Sequence, residues 1–148
     1  MRKFALPALF LAVFAAPAAL SHSGVKDPAV MARMQLMSLV AKDMKVLGEM
    51  AKRTTTFDAA TVQGRAASLE EHALETVRLF EAPATDPKSE AKPEIWDDWE
   101  GFSKSAAEMR EAAAQLGLVT TEAEFGAAFR AVGQTCSACH EAYRINKN

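Results

Sequence analysis

Cysteine is nearly absent from this chain: its 148 residues hold two, Cys136 and Cys139, alongside three histidines. A disulfide framework is thereby excluded. The two cysteines stand one helical turn apart, where a bond between them would close a tiny ring and stabilise little. A closed zinc site is short of ligands, since it needs about four. Beyond Cys136, Cys139 and His140 the chain offers only His22, near its start, and His72, which is expected to lie solvated at the edge of a helix face. Runs of β-branched residues are missing as well, so no strand is expected. Internal repeats and low-complexity segments are absent. A basic surplus is also lacking: the formal charge is -2, which gives no support to nucleic-acid binding. No composition break divides the chain, and one domain is expected.

What is present begins with an export signal. Met1-Arg2-Lys3 is a short basic start, residues 4–16 are apolar, and Ala-Pro-Ala-Ala-Leu-Ser follows with small residues. Cleavage is expected near residues 18–21, leaving a signal peptide at 1–21 and one mature domain at 22–148. A retained anchor is the alternative, but the run is short for a bilayer and contains Pro7 and Pro17. No later stretch is apolar for long enough to cross a membrane, so the mature chain is expected to be soluble, periplasmic and not membrane-inserted. Losing Arg2 and Lys3 brings its charge to about -4.

The rest reads as helix, rich in Ala, Leu, Met, Glu and Lys. Asp27 is an N-cap with Pro28 in the first turn, and the helix they open runs to about Arg53. Its inner stripe is Val30, Met37, Val40, Met44, Leu47 and Ala51, with Arg33 in the same line. A second helix starts after Asp58, buries Val62, Ala66, Leu69, Ala73, Val77 and Phe80, and stops at Pro83. Residues 84–92 form a linker long enough to cross one end of a bundle. The third helix follows Pro93 with Ile95, Trp99, Phe102, Ala106, Met109, Ala113 and Leu116 on one face, and Gly117 ends it. Thr121 with Glu124 is a capping box for the fourth, whose stripe is Phe125, Phe129, Val132, Cys136, His140 and Tyr143. The pattern predicts an all-α, antiparallel up-down-up-down four-helix bundle.

Cys136-Ser137-Ala138-Cys139-His140 has the C-x-x-C-H spacing of covalent haem c attachment. On a helix, positions 136 and 139 both reach one porphyrin edge and position 140 directs its imidazole at the iron. The competing readings are zinc and a thioredoxin-like redox pair, and the latter lacks the strand that should lead into its helix. One covalent haem is the expected cofactor.

A second iron ligand is sought on the first helix, which runs antiparallel to the fourth. Met37 lies about 13 Å along from Pro28, and His140 about 9 Å before Asn146, so the two are nearly level. Met44 is about 10 Å further on and out of reach. Met34 is closer in height but about 60° away in direction, which makes it the fallback. Spacing alone leaves Met37 either a ligand or ordinary core packing.

These residues resemble the class II cytochromes c, or cytochrome c′ family, over nearly the whole mature chain. Val132-Gly133-x-x-Cys136-x-x-Cys139-His140-x-x-Tyr143-Arg144 carries the resemblance, supported by Pro93-Glu94-Ile95-Trp96 and Phe57-Asp58-Ala59-Ala60. It implies a four-helix bundle with His140 as the proximal iron ligand. The family has high-spin members with an empty distal side and low-spin members with methionine bound there. Gln35-Leu36-Met37 with Met44-Lys45-Val46-Leu47-Gly48 looks like the low-spin branch, with Met37 at the ligand position. Arg33, Trp96 and Arg144 match family positions around the haem; the arginines are expected to pair with propionates or to be surface residues, and Trp96 to pack at the haem edge.

The function expected is one-electron transfer to redox protein partners, without catalysis. The alternative is capture of nitric oxide or carbon monoxide at a vacant or displaceable distal position. A peroxidase has no distal histidine to work with. A second apolar line on the first helix, Leu36, Leu39, Val46 and Met50, broken by Asp43, suggests a homodimer face or a wide core stripe.

Overall fold

A computed structural model describes residues 24–145, and the expected signal peptide lies outside them. Five helices follow in order: α1 (Pro28–Ala51), α2 (Ala59–Phe80), α3 (Glu94–Asp97), α4 (Trp99–Gly117) and α5 (Glu122–Tyr143). The four long ones form the bundle, with short α3 as the entry turn of the third. Brief connections at 52–58 and 118–121 force their flanking helices to run antiparallel. Among the described residues, no helix is long and apolar enough to cross a membrane.

The caps are those the sequence specifies. The Asp27 carboxylate accepts from the N–H groups of Ala29 at 2.8 Å and Val30 at 3.0 Å, ahead of Pro28. Asp58 accepts from the Thr61 N–H at 2.9 Å. Thr121 behaves differently from a standard capping box. Its hydroxyl donates to Glu124 at 2.8 Å instead of accepting a helix N–H, and the Glu124 carboxylate turns back toward the N–H groups of Thr120 and Thr121.

Three boundaries and environments differ from expectation. First, α1 ends at Ala51, because Arg53 takes a left-handed φ of 59° and the Thr54 N–H turns back to the Glu49 carbonyl. Second, the expected third helix is broken at Asp98 (φ -122°, ψ 57°). There the carboxylate accepts from the Gly101 N–H at 3.1 Å and from the Tyr143 hydroxyl at 2.6 Å, so it caps a new helix instead of continuing the old one.

Third, the second apolar line of α1 is not a free face. Leu36 and Met50 are buried in this chain's own core, leaving only exposed Leu39 and half-buried Val46. Asp43, read as an interruption of that line, is 5 % exposed and meets Arg65 Nη1 at 3.0 Å and His72 Nε2 at 3.4 Å. His72 is therefore a largely buried partner and not a solvated residue. A buried carboxylate requires such partners.

The interior has two parts. The larger joins Val40, Leu47, Met50, Val62, Leu69, Leu116, Phe125 and Val132. Leu47, Leu69 and Leu116 are fully buried, each contributing about 2 kcal/mol by removal from water. The smaller, at the linker end, gathers Phe80, Ile95, Phe102 and Tyr143. Phe102 sits 5.1 Å from Phe80 and meets Tyr143 edge-on at 5.4 Å. α1 packs chiefly on α2 and touches α5 only sparsely, which leaves room between α1 and α5 at this end.

The linker is tied down twice. Asp86 accepts from the N–H groups of Lys26, Asp27 and Lys88 at 2.8, 3.1 and 2.8 Å. Further on, Ala91 and Arg144 form an antiparallel bridge, with Lys92 N donating to the Tyr143 carbonyl at 3.0 Å and Ile145 N to that of Glu90 at 2.7 Å. Lys92 Nζ then covers the end of α5, donating to the carbonyls of Glu141 at 3.1 Å and Ala142 at 2.9 Å.

Candidate functional site

The gap between α1 and α5 is a cavity of about 400 Å³, within the range of small-molecule and cofactor sites. α1 contributes Arg33, Met34 and Met37, α2 contributes Phe80, and the linker contributes Ser89 to Ala91. Ile95 and Phe102 close the third side, and Cys139, His140, Tyr143 and Arg144 the fourth. Met37 and His140 thus line one cavity from two different helices. Met34 lines it too, while Met44 packs into the larger core cluster.

The cysteines fall on one turn of α5 because the stripe Phe125, Val132, Cys136 and Tyr143 turns that face inward. Both are free and half-buried. Burial raises both thiols above the ordinary cysteine value, and the neighbouring Cys136 pushes Cys139 further the same way. They stay protonated at neutral pH, the opposite of what a reactive dithiol requires. Cys136 packs on the larger cluster, and Cys139 packs on the smaller one and lines the cavity.

His140 is exposed on one side. Desolvation, reinforced by the Arg144 charge and opposed by Glu90, holds its imidazole below the usual histidine value. It is therefore neutral at physiological pH, with a ring nitrogen lone pair available to a metal. Two thiols one turn apart, a neutral imidazole beside the second, and an apolar cavity in front of them fit a covalently attached haem.

The arginines have protein partners. Arg144 Nε and Nη2 donate to Glu90 Oε2 at 2.8 and 2.6 Å. Arg33 is buried, 3 % exposed, and donates to three carbonyls at the end of α2: Leu79 from Nε at 2.9 Å, Ala84 from Nη1 at 3.2 Å and Ala82 from Nη2 at 2.5 Å. Its guanidinium also lies 4.6 Å from the Phe80 ring and 5.3 Å from that of Trp96. Trp96 is not among the residues lining the cavity; it is half-buried against the smaller cluster, its Nε1 donating to the Phe80 carbonyl at 2.8 Å. Sequence reading did not single out Glu90, Asp98 or Gly101. Glu90 is one of several mixed charges in a linker, and nothing local marks its pairing across 54 residues.

The sequence model of the family described as Cytochrome C′ matches residues 28–144. A cytochrome c-554 from Cereibacter sphaeroides is 34% identical, the alignment covering 97% of this chain and 98% of that protein. A cytochrome c-556 from Agrobacterium tumefaciens (strain apple 185) is 32% identical over 79% of this chain and 94% of its own. Among solved structures, cytochrome c′ from Rhodopseudomonas palustris superposes with a TM-score of 0.76 at 28% identity, covering 83% of this chain and all of that one.

Proposed function

Because the chain belongs to the cytochrome c′ family, the class II cytochromes c, and so carries covalently attached haem c, we propose that it is a periplasmic one-electron carrier with His140 and Met37 as axial iron ligands. In this reading Cys136 and Cys139 hold the haem by thioether bonds. The group supplies a reversible one-electron couple at iron. The protein supplies the rest: a neutral imidazole from α5, a thioether from α1 that favours the ferrous state, and apolar walls from Phe80, Ile95 and Phe102. The observation that carries the reading is Met37 and His140 lining one cavity from facing helices. The signal-like start of the sequence supports export, and a redox protein is the partner expected for a carrier.

The ferric absorption and electron spin resonance spectra test this directly. A low-spin, six-coordinate iron is expected, and a five-coordinate, high-spin iron overturns it.

A second reading, a haem that captures nitric oxide or carbon monoxide, draws on the likeness to cytochrome c′ itself. Here the α1 side of the cavity, including Ser38 and Ala41, would receive the gas. Rapid carbon monoxide binding by the reduced protein favours this reading, and failure to bind argues against it.

A further inference from the structure

We propose that Arg33 is a positioning residue that also sets the reduction potential: a fixed, buried positive charge on the cavity wall, bolting α1 to the end of α2 one turn before Met37. The inference rests on the haem occupying the cavity described above. It holds whichever group binds the distal side.

Arg33 is one of three polar or charged residues classed as buried among those described, and the only one of them with a formal positive charge. A lone buried cation is costly unless it is paired. Here the pairing is with dipoles. The carbonyl of Leu79 lies in the last turn of α2, the negative end of that helix, and those of Ala82 and Ala84 lie in the segment that leaves it. Phe80 and Trp96 present ring faces to the guanidinium, a further attraction. Trp96 is itself fixed by donating to the Phe80 carbonyl. Four segments, α1, α2, the linker and α3, therefore converge on one side chain.

Two consequences follow. The height of α1 against α2 is set at Arg33, and Met37, four residues along the same face, inherits that height. The charge cannot swing away, because three of the five guanidinium donors are already used. Oxidation of the haem adds a positive charge to the iron, and a fixed cation on the wall disfavours it. Removing that cation also exposes the cavity to the negative end of α2 and to the carboxylate of Asp27, which acts on Arg33 electrostatically. Both changes lower the potential.

The test uses the mature, haem-loaded protein and measures midpoint potential and thermal stability together. Arg33→Gln is expected to raise the ferric-to-ferrous ratio at a given applied potential by about tenfold, equivalent to about 59 mV for one electron. Arg33→Lys, which keeps the charge and loses the fork, is expected to fall between. A Gln variant with the wild-type potential, whatever its melting temperature, overturns the proposal, because a purely structural cap would lower stability alone. Should Arg33→Gln fail to accumulate, Asp27→Asn decides. Asn caps a helix as well as Asp, and losing the carboxylate is expected to raise the potential; an unchanged or lower value overturns the proposal. Wild-type protein without haem absorption would instead overturn the functional reading beneath it.

Discussion

The Tyr143 hydroxyl donates to Asp98 Oδ2 at 2.6 Å, joining the last turn of the motif helix to the break between α3 and α4. One carboxylate thereby caps α4 and anchors α5 beside Cys139 and His140. The bond, with burial, pushes the Tyr143 pKa up to about 12. Since Tyr143 is the only tyrosine in the chain, tyrosinate absorbance during alkaline titration reports it alone. Ionisation is expected near pH 12 in the folded protein. Its contribution to stability is complete below the ordinary tyrosine value of about 10 and disappears as pH rises through the folded value. Tyr143→Phe should cost about 1–2 kcal/mol in denaturant unfolding at neutral pH.

The same junction explains Gly101. A Cβ there would meet the Asp98 carboxylate, and would lie 2.6 Å from the Tyr143 hydroxyl. Gly101→Ala is expected to destabilise by about 1–2 kcal/mol, the crowding exceeding the helix-propensity gain. Gly64, with nothing within 4 Å of its added Cβ, is the control. Gly64→Ala should stabilise by about 0.5–1 kcal/mol. Opposite signs in thermal melts check the pair.

Met37 and Met34 share the cavity wall, and substitution separates them. Met37→Leu conserves side-chain volume and so should leave the fold intact while removing the thioether. It is expected to convert the ferric iron from low to high spin, while Met34→Leu leaves the spectrum unchanged. The reverse pattern would assign the ligand to Met34.

Asp86 holds the linker against the start of α1. Hydrogen bonds from the N–H groups of Lys88, Lys26 and Asp27, in decreasing order of effect, hold its carboxyl below the ordinary aspartate value. The fastening is complete above the ordinary value of about 3.9 and is lost as pH falls through the lowered one. Asp86→Ala should speed amide exchange at Lys26, Asp27 and Lys88 at neutral pH while leaving the middle of α2 protected. Unchanged exchange at those three amides would show that other contacts hold the linker.

Much of this architecture was legible in the sequence because it is written in local signals. Asp27 and Asp58 announce their helices one turn ahead, and the repeat from Val62 to Phe80 gives the buried face of α2 almost residue for residue. The C-x-x-C-H motif is equally local, and its Cys139 and His140 line the candidate cavity. What escaped depends on partners far away in the chain. Arg33 meets carbonyls 46 to 51 residues on, and Asp98 breaks a well-phased helix because Tyr143 arrives from 45 residues away. Asp43 and His72 looked misplaced or solvated separately, and make sense only as a pair.

The two cysteines pack against different halves of the interior, Cys136 on the large apolar cluster and Cys139 on the small aromatic one. A porphyrin fastened to both, as proposed above, would consequently act as a rivet between these two hydrophobic compartments. The holoprotein should melt as a single cooperative unit, and a chain denied its prosthetic group should lose the aromatic compartment first.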